Sequence, residues 1–243
     1  MVLRDMHPMT QISITTLERA LQVAGLIENS SLVLVDNSSL EPLTRDHISA
    51  QVAFQIVRLD KNHSFSAASN LGAKKLMDKE CLLFLNNDVF LHPRALKTML
   101  ADRASFSASI CGARLVYPNG QIQHAGVAFG IGSEPHHLHH YEYSRLIPKI
   151  TSQHQSVTGA VMLIDSALFW DLHGFDEIFP FAYEDTDFCL RAAANGAKTI
   201  CTQAADSIHL SGQTRDDKSQ SFEKLSRDLF LERWGGRVSP DLP

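Results

Sequence analysis

The first half of the chain twice sets a continuous apolar run against a carboxylate. Residues 32–35 run into Asp36, and residues 81–85 run into Asn86, Asn87 and Asp88. A run without polar alternation has no face for solvent, so as a strand it belongs in a parallel sheet covered on both sides. The segment FQIVRLD suggests a further strand. Helical stripes lie between these runs. Leu17, Ala20, Leu21 and Ala24 fall on one side of a helix. Residues 66–77 open with serines suited to capping, and Pro93 opens a helix over residues 94–100. Helix, strand, strand, helix, strand, helix is the order of an α/β domain with a mainly parallel sheet. Ligands of such sheets bind beyond the carboxyl ends of the strands. Asp36 and Asp88 both stand there.

The second half has shorter elements. SICGARLVY and residues 121–130 read as strands around a turn at Pro118-Asn119-Gly120. Residues 132–156 are polar, rich in histidine and broken by Pro135 and Pro148. They read as a mobile excursion that orders over a ligand. VTGAVMLID is a strand, and SALFWDLHG a short helix ending at Gly174. Residues 183–195 form a helix stopped by Gly196, and KTICTQ is a last strand. An amphipathic helix over 219–234 places Phe222, Leu225, Leu229 and Phe230 on one side.

Composition removes several classes. A 44% hydrophobic share with 20% charged residues supports a sizeable core rather than disorder. The net charge of -5 argues against a nucleic-acid binder. The longest apolar stretch, residues 156–170, is interrupted by Asp165 and is too short to cross a bilayer. The opening MVLRDMHPMT lacks the apolar core of a secretory signal. A cytoplasmic protein is expected, with peripheral association at the inner membrane face left open. Cys81, Cys111, Cys189 and Cys201 form no C-x-x-C pair and read as reduced thiols.

Three constellations could carry chemistry. In YEDTDFCLRAAANG, Asp187 and Arg191 are four apart on a helix and can pair. Glu184 and Asp185 fall in the first turn, where the helix dipole favours carboxylates. The plain reading is a solvated helix start. The flanks FPFAY and FCL suggest instead a partly covered site, where a raised pKa supports base catalysis. Asn86-Asn87-Asp88 at a strand end offers hard oxygens for Mg²⁺ or Mn²⁺ bound through a diphosphate; it would also make an ordinary turn. Asp36 could accept hydrogen bonds from a base or ribose, or cap its own loop. His209 follows the last strand and could approach Asp88. The cluster HHLHH, from His136 to His140, is too tightly spaced for the usual structural zinc sites and is expected to be a flexible loop.

In order, VLVDNSS, FSAASNLGAKK, LLFLNNDVFLHPRAL, VTGAVMLID, GFDEIFPFAYEDTDFCLR and the histidine of SIHLSG resemble the family 2 glycosyltransferases. The similarity is strongest to their bacterial rhamnosyltransferase-like branch and covers about residues 32–209. It implies the GT-A fold, a three-layer Rossmann-like α/β domain with a central, mainly parallel sheet flanked by helices. A single domain would span 1–243, with about 1–100 binding nucleotide and about 101–243 binding acceptor and performing catalysis. The implied reaction is metal-dependent and inverting. A UDP- or dTDP-linked sugar would pass to a saccharide or lipid-linked acceptor in bacterial polysaccharide biosynthesis.

By position in the matching motifs, Asp36 contacts uracil or ribose. Asn70, Asn86, Asn87 and Asp88 belong to the donor site. N-N-D replaces the family's D-x-D, which makes Asp88 the carboxylate ligand. His209 completes the metal or diphosphate site. Asp185 is the implied base, and Glu184 positions it or binds acceptor hydroxyls. The chain departs from the family at its start. Where members show an apolar strand ending in T-Y-N or P-x-Y-N, MTQISITTLERAL offers at best the short strand QISIT. The alternative is therefore a nucleotide-sugar-binding or partner module that keeps the fold without turnover. Retention of Asp88, Asp185 and His209 together favours the enzyme. No glycine-rich phosphate loop supports a nucleotidyltransferase.

Overall fold

The computed structural model describes residues 1–211 and 219–241. The first apolar runs form a parallel sheet in the order β1 (Val2–Leu3), β2 (Ser31–Asp36), β3 (Ala53–Arg58). Helix α1 (His7–Ala24) crosses between β1 and β2. Pro8 sits in its first turn and Gly25 ends it at a φ of 72°. Helix α2 (Phe65–Ala73) follows β3. The Ser64 hydroxyl caps it by accepting the Ala67 N–H at 3.2 Å.

A second sheet takes up the rest of the core. Its strands are β4 (Cys81–Leu85), β5 (Val89–Phe90), β6 (Ile110–Val116), β7 (Ile122–His124), β10 (Ser152–His154), β11 (Val161–Asp165) and β12 (Thr199–His209). β8 (Val127–Phe129) and β9 (Pro135–His137) form a separate pair. The path runs β10-β12-β6-β11-β4, with β5 beside β12 and β7 beside β6. β6 and β12 are parallel, whereas β11 runs antiparallel to both β4 and β6. Helices α3 (Ala95–Phe106), α4 (Ser166–Asp171), α5 (Glu184–Ala194) and α6 (Ser219–Trp234) complete a mixed α/β architecture.

Two expectations change. QISIT lies inside α1, which starts well before the stripe at 17–24. Ile14 is fully buried and continues that stripe, while Ile12 is exposed. The Ser13 hydroxyl donates to Val89 O at 2.7 Å, and the Thr16 hydroxyl accepts from Leu91 N at 3.0 Å. These bonds dock the helix on the β5 segment. The strand role at this edge falls to the two residues of β1. Residues 132–156 are also more structured than their polarity implies. They hydrogen-bond along exposed strand edges: β9 pairs with β8, β10 pairs with β12, and Tyr141–Glu142 bonds back to Ile122. Unpaired strand edges need partners, and this segment supplies them.

All four cysteines are free, and Cys111, Cys189 and Cys201 are buried. Burial pushes the Cys111 and Cys189 thiols up to about 12. Among the described residues no helix is long and apolar enough to cross a membrane.

An aromatic cluster joins α4 and α5 to the sheet. The Phe169 ring lies 5.1 Å from Phe84, 5.5 Å from Phe175 and 5.6 Å from Phe188, centroid to centroid. Phe169 is fully buried. Phe169→Ala should therefore cost about 3–5 kcal/mol. Urea unfolding would show it as a lower midpoint at unchanged slope; a shift equivalent to less than about 1 kcal/mol would mean that the cluster does not hold α5.

Candidate active site

Antiparallel pairing of β5 with β12 sets His209 opposite Val89, and so next to Asp88. The His209 Nε2 stands 3.1 Å from Asp88 Oδ1. Its Nδ1 donates to Gln123 Oε1 at 2.6 Å, from β7. This second bond fixes the tautomer, as a partner of a ligating histidine commonly does. In the neutral ring Nε2 then carries a lone pair directed at a carboxylate oxygen. Two electron-rich atoms at that distance call for a proton or a cation between them. Among the described residues no three His, Cys, Asp or Glu side chains gather as a metal cage. A carboxylate and an imidazole are enough where substrate phosphates supply further ligands, as Mg²⁺ sites commonly do. The donor set therefore fits Mg²⁺ or Mn²⁺ at a diphosphate.

The second corner is the start of α5. Ala182 and Tyr183, just before it, both adopt positive φ, 63° and 71°. Such strain in non-glycine residues persists only where the surroundings impose it. It turns Glu184, Asp185 and Asp187 into the first helical turn. Asp187 is fully buried. Its Oδ2 takes Arg191 Nε at 2.7 Å, and its Oδ1 takes Arg233 Nη1 at 2.8 Å and Trp234 Nε1 at 2.9 Å. The expected Asp187–Arg191 brace is present, and α6 joins it. Glu184 is buried, and its Oε2 has no hydrogen-bond partner. Burial first, then the charges of Asp185 and Asp187, raise its carboxyl to about 8. The perturbed carboxyl of the pair is thus Glu184, turned into the protein rather than toward an acceptor.

Asp185 is half-buried, and its Oδ2 accepts the Gly159 N–H at 2.7 Å. A Cβ on Gly159 would stand 3.3 Å from the Asp185 Cβ, so glycine permits this approach. The next residue, Ala160, accepts the Asn86 N–H at 3.0 Å. One short backbone stretch therefore links the end of β4 to the start of α5. Asp88, His209, Asn86 and Asp185 share one end of the second sheet.

Other expected donor residues have different duties. Asp36 is fully buried. Its oxygens accept Ser39 N at 2.8 Å and Leu43 N at 2.9 Å, and Arg58 lies 2.5 Å away. These bonds hold its carboxyl below the ordinary carboxylate range against the opposing effect of burial. These are the bonds of a loop cap, one of the two readings open for Asp36. Asn70 binds the backbone at Phe175 through both ends of its amide, at 2.8 and 3.0 Å, and ties α2 to the segment before α5. Asn87 turns its amide to the Thr10 hydroxyl of α1 at 3.1 Å. Among this group only Asp88 faces His209.

Gln123 and His124 are the additions that sequence reasoning missed, and His137, read there only as part of a flexible loop, joins them. His124 is fully buried, with Nδ1 2.9 Å from the Nδ1 of His137 in β9. Burial first, then neighbouring histidines, lower its pKa well below 6.5. The signal available was QHAG next to a histidine-rich segment, but only the β8–β9 hairpin brings the two together.

Glu184 makes stability depend on pH. Its folded pKa lies above its unfolded value of 4.5, so the folded state holds the proton more tightly. That contribution is complete below pH 4.5 and is lost as pH rises toward about 8. Glu184→Gln should therefore gain stability relative to the parent across this window in urea melts at pH 5 and pH 8. A difference that does not change with pH would exclude a raised carboxyl. Asp187→Asn should destabilise by about 3 kcal/mol by removing the buried charge on which Arg191 and Arg233 converge, although Arg233 keeps Asp176; unchanged unfolding would show that the clamp does not hold α5.

Residues 14–172 match the profile of Glycosyl transferase family 2. The chain is 30% identical over 199 residues to the O-antigen biosynthesis protein RfbC of Myxococcus xanthus, covering 76% of this chain and 15% of that protein. It is 23% identical to the low-salt glycan biosynthesis hexosyltransferase Agl10 of Haloferax volcanii, covering 86% of this chain and 68% of that one. The fold matches the solved structure of GalNAc-T7 with UDP, GalNAc and Mn²⁺, with a TM-score of 0.60 at 13% identity over 86% of this chain and 43% of that one. The chain thus spans well under half of RfbC. With the family profile matched over most of its length, it belongs to the family 2 glycosyltransferases and has their GT-A fold.

Proposed function

We propose that this chain transfers a sugar from a nucleotide-diphosphate donor to a saccharide or lipid-linked acceptor in glycan biosynthesis, with inversion at the anomeric carbon. UDP- and dTDP-sugars are the favoured donors. The observation that carries the proposal is the shared placement of two dissimilar corners: Asp88 with His209 on one side, Asp185 on the other, joined through Asn86, Ala160 and Gly159. The first suits a diphosphate with Mg²⁺ or Mn²⁺; the second suits a hydroxyl that must lose its proton.

The residues divide the work. Asp88 and His209 would hold a divalent ion, which would supply positive charge against the departing nucleotide diphosphate. Gln123, by accepting from Nδ1, orients the His209 ring so that Nε2 is the nitrogen facing Asp88 and the ion. Asp185 takes the proton of the attacking hydroxyl, which is a poor nucleophile until then. The Gly159 amide holds one Asp185 oxygen in place. Glu184, neutral in its buried position, adds no second charge beside the base. Attack opposite the leaving group gives one displacement and hence inversion. The first 100 or so residues would serve the donor and the remainder the acceptor. Free thiols suit a reducing cytoplasm, where the chain would meet lipid-linked acceptors at the inner membrane face. No nucleic-acid partner is proposed.

Two measurements test this. UDP or dTDP should raise the melting temperature only when Mn²⁺ or Mg²⁺ is present, and Asp88→Ala should abolish that increment. An equal rise in chelator would remove the metal from the proposal. In a screen of UDP-, dTDP- and GDP-sugars, Asp185→Asn should lower turnover per folded molecule by roughly 10²–10⁴-fold while nucleotide binding holds. Near-parental turnover would take Asp185 out of the mechanism.

A further inference from the structure

A continuous set of rings leads away from the candidate base. Gly159 N donates to Asp185, and its neighbour Thr158 donates its N–H to His124 Nε2 at 3.4 Å. His124 then carries its proton on Nδ1 and donates it to His137 Nδ1 at 2.9 Å. This leaves the His137 proton on Nε2. The His137 ring lies 5.9 Å from His140, which stacks on Tyr141 at 3.8 Å with 20° between the planes. Tyr117 is nearly parallel to Tyr141, at 5.7 Å and 9°, and its hydroxyl meets His140 Nε2 at 3.0 Å.

Beyond the buried His124, the rings reach the surface. Tyr141 is 60% exposed, and His140 is exposed beside it. His139 and Tyr141 both adopt positive φ, 57° and 66°, which non-glycine residues rarely take. The segment is nevertheless tied down. Tyr141 N donates to Ile122 O at 2.9 Å, Ile122 N to Glu142 O at 2.7 Å, and the Gln121 amide to Tyr141 O at 2.7 Å. Desolvation holds the imidazoles of His124, His137 and His140 below the usual histidine value, so these rings are uncharged near neutral pH. An exposed, pre-ordered aromatic patch marks a binding surface. Rings with polar edges suit a ligand that has both C–H faces and hydroxyls.

We infer that His137, His140, Tyr141 and Tyr117 form the seat of the acceptor, and that this acceptor is an uncharged saccharide whose ring stacks on the aromatic faces while imidazole edges bind its hydroxyls. The inference rests on the transferase reading and specifies its acceptor. The sugar is chosen over a lipid chain because every ring of the ledge carries a hydrogen-bonding atom. The seat begins at His137, three hydrogen bonds from Asp185 by way of Gly159, Thr158 and His124, and His137 is near enough to feel the Asp185 charge, so a hydroxyl of a seated sugar can approach that base.

Saturation-transfer NMR tests the seat directly, using neutral trisaccharides of hexose, deoxyhexose and N-acetylhexosamine as probes. The parent chain should transfer saturation to sugar C–H protons of at least one. Tyr141→Ala and Tyr117→Ala should weaken its binding roughly five- to tenfold, the loss of one stacked ring, whereas Tyr141→Phe retains it. UDP binding with Mn²⁺ should be unchanged in all three. No transfer to any probe in the parent, or equal binding by Tyr141→Ala, overturns the inference. The failure of the transferase reading looks different. No nucleotide sugar would be hydrolysed, while a sugar bound in a Tyr141-dependent way would still establish the seat.

Discussion

The register of β11 is the constraint on which the rest depends. Five residue pairs join it to β4 and three join it to β6, all antiparallel. A slip of one residue would turn every side chain to the opposite face. It would also displace the three residues leading into the strand. Thr158 binds His124, Gly159 binds Asp185, and Ala160 receives Asn86. At the strand's other end the Asp165 carboxylate meets Arg103 of α3. One short strand thus positions both corners of the site through its own backbone groups, the Gly159 N–H toward Asp185 and the Ala160 carbonyl toward Asn86.

Three carboxylates within the first turn of α5 meet three different fates. Asp187 is buried and balanced by Arg191 and Arg233. Glu184 is buried without such a partner, and its proton is retained instead. Asp185 alone is half-buried and held by backbone N–H groups of Gly159 and Thr186. Divergent environments for neighbouring acids are how one segment separates structural from chemical roles. The arginines extend this outward. Arg191 also binds Leu172 O and Gly174 O, and Arg233 reaches Asp176, so the turn before α5 is fixed by the same charges.

Much of this was legible in residue order. The runs ending at Asp36 and Asp88 became β2 and β4, the E-D pair opened a helix, and Asp187 paired with Arg191 at the expected spacing. What escaped was whatever depends on contacts distant in sequence. The period of α1 was obscured by the β-branched residues of QISIT, whose helical face is defined by the β5 segment and by α3 packed against it. Asn70 sits in a motif that resembles a donor site, yet its amide is spent on Phe175, 105 residues away. The chemistry of Asp36 was ambiguous because burial, not residue type, decides between capping and recognition. His124 and His137 were separate letters until a hairpin faced their rings.

The clamp on Asp187 also sets an order of events during synthesis. Arg191 is made almost at once, but Arg233 and Trp234 emerge 46 and 47 residues later. At ordinary translation speeds that is roughly 2–9 s. During that interval the growing chain holds a carboxylate it cannot fully bury, and α5 lacks the helix that braces it. The parallel sheet of β1, β2 and β3, complete long before, can fold meanwhile. Assembly of the proposed site is thus timed by the last helix, so a nascent chain would hold its base in an unbraced helix until synthesis is nearly over.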